Sequence, residues 1–238
     1  MWEDTLMIYH SDNGAPHTDF SSNGDLTGYK ASLWEGGVRT VGFMFSENKE
    51  IQPIRGFTDC YVHVSDWYQT VITASGGWDA YTNATGLDMP GELDSVDQFS
   101  LLSDNSTCPR KQIMLHIDPV ERVAGYLKGK FKLLIGNQDS KSKCVKALFY
   151  PLDIGSIDLD IIQLFDIYED PYETTNIAEQ NPGAVDELRS DVLEFLSHQN
   201  PLQCQLPTIA DSNPCDAVPY YLPWDFSKNT LPNTAKIL

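Results

Sequence analysis

The chain has 238 residues, 41% of them hydrophobic, which is enough to bury a substantial core as one large domain or two small ones. Its formal net charge of −18 argues against nucleic acid as a partner, because phosphate backbones are bound by surfaces rich in Lys and Arg. No apolar run reaches the ~20 residues that cross a bilayer, and the amino terminus lacks the charged and apolar regions of a signal peptide.

The apolar run at 5–11 predicts a strand that is buried on both faces. Asp12, Asn13 and Gly14 follow it directly, and ligands of open α/β sheets bind just beyond the carboxyl ends of such strands. A carboxylate and an amide carbonyl are the hard oxygen ligands that Ca²⁺ prefers, but the same three residues also form ordinary turns. The segment by itself therefore leaves a metal site and a plain turn open.

Three features further along the chain predict the rest of the first unit. Alternating apolar residues at 41–45 indicate a second strand. Ser65 is expected to cap a helix that Gly76 and Gly77 end. The polar, glycine-rich stretch 83–105 is typical of a surface excursion.

The second part of the chain is predicted to be a small sheet with a helix. The segments 128–136 and 161–166 read as strands, and they are expected to be antiparallel because no helical connection joins them. Asn181 can cap a helix whose first position is Pro182, and the apolar stripe of that helix predicts a packing face. From residue 201 onward, prolines and polar residues indicate an extended tail.

The segment 28–39 combines a tryptophan, two successive glycines and charged residues. Together with 11–14 it resembles the second half of the active site of the sulfatase family, in particular of the arylsulfatase B (N-acetylgalactosamine-4-sulfatase) type. The resemblance implies an α/β fold in which residues 1–120 are the carboxyl-terminal part of an alkaline-phosphatase-like sulfatase domain. Residues 121–238 would then be a small antiparallel sheet with a packed helix and an extended tail. Further matching segments lie at 64–67, 115–119, 130–134 and 164–167.

By this resemblance Asp12 and Asn13 are two of the Ca²⁺ ligands, and Lys30 is the catalytic cation that binds the sulfate group. Without the motif, Lys30 would read as a solvated loop lysine. The chemistry agrees with the resemblance, because a divalent ion and an ammonium can stabilise the negative charge that develops as the S–O bond breaks. His17 lies in the same loop and is a further candidate for substrate contact, although the family pattern does not require it. The implied substrate is a sulfate-ester small molecule or a sulfated glycan, and the oligomeric state stays open.

The nucleophile of the family is a formylglycine made from Cys in a Cys-x-Pro-Ser-Arg segment, which this sequence does not contain. The earlier pair of Asp ligands is missing too, so Met1 reads as an internal methionine and the chain as a carboxyl-terminal half. We therefore expect part of a calcium-dependent sulfuric ester hydrolase that is inactive alone. A non-catalytic secreted or lumenal binding remnant of a sulfatase is the alternative.

Five cysteines without metal-finger spacing favour an oxidising compartment, with buried free thiols as the alternative. The resemblance implies a bond between Cys108 and Cys144 and a lysosomal or secreted protein. Sequons at Asn83 and Asn105 are expected glycosylation sites in polar loops.

Overall fold

The computed structural model describes residues 2–16, 20–48, 56–104, 107–118, 123–138 and 161–198. A short 3-10 turn at Trp2–Asp4 opens the chain. None of the helices in these ranges has the length and apolar character that a membrane span requires. The helices and strands in chain order are β1 (Leu6–His10), α1 (Glu35–Val38), β2 (Gly42–Ser46), α2 (Asp66–Ala74), α3 (Gly77–Thr85), α4 (Phe99–Asp104), β3 (Gln112–Asp118), β4 (Val123–Lys128), β5 (Phe131–Ile135), β6 (Ile162–Asp166) and α5 (Pro182–His198).

The first sheet consists of β1 and β2, which pair antiparallel with Tyr9 opposite Phe43 and Met7 opposite Phe45. Because side chains alternate along a strand, these four residues share one face. Tyr9 and Phe43 stack with their ring centroids 5.0 Å apart, and each is at least half exposed. The two predicted strands are confirmed, but burial of β1 on both faces is wrong, because Tyr9 and His10 are exposed and the other residues of the strand are only half-buried.

The second sheet has four antiparallel strands in the order β3–β4–β5–β6. The central strands β4 and β5 are buried almost throughout and are joined by a tight turn at Gly129, whose φ is 59°. The antiparallel pair predicted at 128–136 and 161–166 is confirmed as β5 and β6, but the first strand was predicted too long, because Lys128 ends β4 and residues 129–130 form the turn. The sheet already begins at Gln112, so its first strand falls inside the unit 1–120 of the sequence-based division.

Helix α5 packs against this second sheet. It begins at Pro182, as predicted, because a missing N–H costs nothing at the first helical position. Burying a large apolar side chain contributes roughly 1.5–3 kcal/mol to the free energy of unfolding. The side chains buried between the helix and the sheet therefore form the principal core of the described residues. The apolar stripe is buried at Leu188, Val192 and Leu196, which cluster with Tyr126 and Leu133 of the sheet.

The start of α2 is held by a buried ion pair rather than by a serine cap. Ser65 precedes the helix as predicted but makes no capping hydrogen bond with its side chain. Asp66 is fully buried, pairs with Arg110, and accepts the backbone N–H groups of His63 (2.8 Å) and Val96 (2.9 Å). Burial alone would raise the pKa of Asp66, but the hydrogen bonds from Arg110, His63 and Val96 outweigh it and lower the pKa.

The stretch 83–105, expected to be a surface excursion, is structured in part. Helix α3 continues to Thr85, and α4 begins at Phe99. Between them Gln98 is fully buried and donates from Nε2 to Asp66 (2.9 Å). Residues 83–92 are exposed, as a polar composition indicates, whereas Gln98 is drawn into the fold by the hydrogen bonds of its Nε2 and its backbone N–H.

Cys60 and Cys108 form a disulfide between residues 48 positions apart. The expected bond between Cys108 and Cys144 is therefore wrong, because a sulfur atom takes part in one disulfide only. Cys144 itself lies outside the described residues. The observed bond links the segment before α2 to the segment before β3.

Peptide mapping without reduction is expected to recover peptides joined through Cys60 and Cys108. Because the bond closes a long loop, replacing both cysteines with Ser should lower the free energy of unfolding by about 2–4 kcal/mol in urea denaturation. A recovered Cys108–Cys144 peptide would contradict this assignment.

Candidate functional site

The candidate site forms where the turn after β1 meets the loop that leads into α1. The N–H of Gly14 donates to the carbonyl of Gly37 (2.9 Å), and the N–H of Lys30 donates to the carbonyl of Ala15 (3.0 Å). A Cβ added to Gly14 would lie 1.8 Å from the carbonyl oxygen of Gly36. The two segments that the sequence singles out are therefore in direct backbone contact.

The two successive glycines of α1 are required by the same close packing. A Cβ on Gly36 would lie 2.4 Å from the carbonyl oxygen of Gly28 and 2.6 Å from that of Thr27. A Cβ on Gly37 would lie 2.2 Å from the carbonyl oxygen of Ser32. Backbone from three parts of the chain thus packs here without intervening side chains.

The side chain of Asn23 braces this loop. Its Oδ1 accepts the N–H of Ala15 (2.7 Å), and its Nδ2 donates to the carbonyls of Ala15 (3.1 Å) and Gly28 (3.2 Å). Asn23 therefore ties the turn after β1 to the segment just before Lys30. No sequence pattern indicates this role, because a loop asparagine is an ordinary turn residue.

Asp12 and Asn13 lie at the outer edge of this packed turn. Asp12 Oδ1 accepts the N–H of Asn13 (2.9 Å), and Asn13 Nδ2 donates to the carbonyl of Gly14 (2.8 Å). Ser11 Oγ donates to the carbonyl of Asn13 (2.7 Å). Asp12 Oδ2 and Asn13 Oδ1 keep no hydrogen-bond partner within the part of the chain that the structure describes. These bonds hold both side chains and leave two hard oxygens for a cation.

The donor chemistry of these two oxygens fits Ca²⁺, which takes about six to eight oxygen ligands. Two oxygens supply only part of such a ligand shell. Across the described ranges, no group of three or more His, Cys, Asp or Glu side chains could hold a metal ion. Asp12 and Asn13 are therefore candidate members of a larger ligand set.

Lys30 is exposed beside this turn. Its ammonium forms no ion pair with any residue that the structure describes, so it is available to bind an anion. The next residue, Ala31, has a φ of 75°. Left-handed backbone at a non-glycine residue costs of order 1–3 kcal/mol and clusters at functional sites.

Two other predicted site residues, His17 and Asn105, lie outside the described residues. Asn83 is exposed on α3. The expected loop position of its sequon is therefore wrong, because the sequon lies in a helix. It stays a predicted glycosylation site.

A buried ion cluster lies behind the loop. Lys132 of β5 is completely buried, and its Nζ lies 2.9 Å from Oε1 of Glu35 and 2.8 Å from Oε1 of Glu173. Oε2 of Glu173 accepts the N–H of Glu35 (2.6 Å). We call these three residues the buried clamp. The sequence did not reveal it, because a strand lysine and a turn glutamate usually face solvent.

The buried clamp contains two carboxylates and one ammonium. Burial raises the pKa of Glu173, and the attraction of Lys132 together with the N–H of Glu35 offsets only part of that rise. Glu173 therefore binds a proton more readily in the folded chain than in the unfolded one.

Sequence comparison with known proteins identifies an arylsulfatase as a relative of this chain. No protein family model matches the chain. It is 31% identical to arylsulfatase J of Mus musculus over 225 aligned positions, which cover 82% of this chain and 35% of the relative. The chain thus spans about a third of the length of this curated relative.

Two solved structures share the fold at low sequence identity. One is a 6S-sulf protein from the glycosaminoglycan metabolism of Bacteroides thetaiotaomicron, with a TM-score of 0.55, 20% identity, and 83% of this chain and 40% of that chain covered. The other is Ps i-CgsB in complex with k-i-k-neocarrahexaose, with a TM-score of 0.56, 20% identity and coverages of 82% and 37%. The predicted fold class is confirmed: the chain has the α/β fold of the carboxyl-terminal part of a sulfatase domain.

Replacing Gly14 with Ala should lower the free energy of unfolding by about 2–3 kcal/mol, because the new Cβ collides with backbone that cannot rotate away. Urea denaturation measures this, with Gly91→Ala as the control, since nothing lies within 4 Å of a Cβ at Gly91. Equal effects of the two substitutions would contradict the close packing.

The raised pKa of Glu173 predicts a pH dependence of stability. The contribution of Glu173 to the free energy of unfolding is complete below the ordinary Glu pKa of 4.5, and it is lost as the pH rises through the higher pKa of the folded chain. Urea denaturation at about pH 5 and about pH 8 should therefore show a stability loss toward high pH that Glu173→Gln reduces. The exposed Glu179→Gln is the control. An unchanged pH slope in Glu173→Gln would refute the prediction.

Proposed function

Since this chain belongs to the sulfatase family, we propose that it is the carboxyl-terminal part of a calcium-dependent sulfuric ester hydrolase of the arylsulfatase B-like type. One observation carries the proposal. The backbone contact between the Asp12–Asn13 turn and the Lys30 loop brings two free hard oxygens and an available ammonium into adjacent segments.

The chemistry of these groups suits a sulfate ester. Ca²⁺ held by Asp12 and Asn13, with ligands from elsewhere, would supply a fixed positive charge beside the sulfate group. Lys30 is a compact point charge that can bind a sulfate oxygen without the planar geometry that a guanidinium imposes. The same ammonium would stabilise negative charge that builds up as the S–O bond breaks.

A sulfated sugar is the proposed substrate class. The similarity to arylsulfatase J supports the ester chemistry, and the saccharide bound to Ps i-CgsB supports a sugar as its alcohol part. A lysosomal or secreted location, with a glycan on Asn83, belongs to the same proposal. The sequence contains no Cys-x-Pro-Ser-Arg segment, so we expect the 238-residue chain by itself to bind but not to turn over a sulfate ester.

Calcium binding is tested by nuclear magnetic resonance titration of the 238-residue chain with CaCl₂. We expect shifts of the amide signals at 12–14 with a dissociation constant of about 10⁻⁴–10⁻³ M, because only part of the ligand shell is present. Asp12→Ala should abolish these shifts, and Asp88→Ala, which removes an exposed carboxylate elsewhere, should preserve them. The absence of calcium-dependent shifts in the wild-type chain would refute the metal assignment.

Sulfate recognition is tested with 4-nitrophenyl sulfate in the presence of calcium. The ester should shift the Lys30 amide signal, and Lys30→Ala should weaken its binding at least about tenfold, since a charge-assisted contact is lost. Lys111→Ala, which removes another exposed lysine, is the matched control. Equal binding by both variants would refute the role of Lys30, and hydrolysis by this chain would show that another nucleophile is present.

A further inference from the structure

We propose that Lys132, distant in sequence from the candidate site, is a positioning residue for it. Together with Glu35 and Glu173 it fixes the glycine turn of α1, against which the Asp12–Asn13 turn is packed. The inference deepens the proposed function, and its connection to sulfate binding rests on that function.

The buried clamp is poorly explained as a source of stability. Replacing a buried ion pair with apolar side chains of similar volume is often neutral or stabilising, because desolvation of the charges offsets their attraction. Lys132 is nevertheless completely buried between two carboxylates, at 2.9 Å and 2.8 Å. Such a cluster permits one arrangement of its members, because any displacement leaves a buried charge without its partner. Its contribution is therefore geometric.

The path from the buried clamp to the site consists of backbone contacts. Glu35 is the first residue of α1, and its N–H is held by Glu173 at 2.6 Å. The next residue, Gly36, donates to the carbonyl of Thr27 (2.7 Å), and Gly37 accepts the N–H of Gly14 (2.9 Å). Because no side chain lies between these segments, a displacement of α1 passes directly to the turn that carries Asp12 and Asn13.

The backbone of Glu173 shows how firmly this arrangement is held. Glu173 has a φ of 58°, in the left-handed region that a non-glycine residue adopts only under strain. Such strain persists only where surrounding contacts determine the conformation. Here Oε2 of the side chain accepts the N–H of Glu35, Oε1 is ion-paired with Lys132 without forming a hydrogen bond, and the neighbouring Tyr172 accepts a hydrogen bond from Thr27 Oγ1 (2.6 Å).

Contacts around the buried clamp attach the loop to the second sheet. Trp34 packs edge-on against Phe165, with the ring centroids 5.5 Å apart. A Cβ on Gly125 of β4 would lie 3.2 Å from Leu33. The second sheet is thus the support on which the loop rests, and Lys132 is the charged link between them.

Site-resolved hydrogen exchange of the 238-residue chain tests the inference. The single variant Lys132→Met leaves two buried carboxylates and could unfold, so the decisive variant combines Lys132→Met, Glu35→Gln and Glu173→Gln. We expect amide protection at Gly14, Lys30 and Gly36 to fall at least about tenfold, while protection in β4 and β5 stays within about twofold.

The matched control is Lys128→Met in the neighbouring strand of the same sheet. Lys128 pairs with Asp191 (2.6 Å) and Glu187 (2.8 Å) of α5, away from the site loop. Its loss should leave protection at Gly14 and Lys30 unchanged. Unchanged protection in the triple variant, or an equal loss across the second sheet, would overturn the positioning role.

A second readout connects the exchange result to ligand binding. The triple variant should bind 4-nitrophenyl sulfate at least about tenfold more weakly than the Lys128→Met control does, although Lys30 is present in both. Equal binding by the two would overturn the link to the sulfate site. Failure of the wild-type chain to bind the ester would refute the proposed function, whereas the exchange experiment decides the positioning role independently.

Discussion

The contact on which the rest of the structure depends is the backbone-to-backbone packing of Gly14 against Gly36 and Gly37. The hydrogen bond from Gly14 to Gly37 joins the turn after β1 to α1, and no side chain fits between the two segments. Asp12 and Asn13 therefore occupy positions set by main chain, which is more rigid than a loop held only by side chains. The candidate ligands lie at the edge of this contact, where their free oxygens remain accessible.

The charge of the chain constrains how a sulfated ligand could be recognised. A net charge of −18 repels polyanions at long range, so attraction must come from positive groups at contact distance. Exposed charges are screened beyond about 8 Å at physiological salt, which limits both the repulsion and the attraction. An ammonium such as that of Lys30, with no carboxylate partner in the described part of the chain, meets this requirement locally.

Local sequence patterns predicted several of the strands and helices. They did not predict contacts between residues that are distant in the chain. Apolar runs, alternation and helical spacing identified β1, β2, β5, β6, α2 and α5, because these patterns lie within a few residues, whereas α3, α4, β3 and β4 were not predicted. The partner of Cys108 and the burial of Gln98 depend on segments that meet only in the folded chain. Lys132 lies 97 residues from Glu35, and Glu35 lies 138 residues from Glu173, so no spacing could indicate the buried clamp.

The candidate ligand-binding residues are exposed, whereas the residues that hold them in place are buried. Asp12 and Lys30 are exposed and make few contacts, and they are recognisable because their neighbours form a motif. Lys132 and Glu173 are buried and make several contacts each, yet they lie in ordinary strand and turn sequences. A chain could thus keep every motif residue and still lose the site, if substitutions in its interior release α1 from the second sheet.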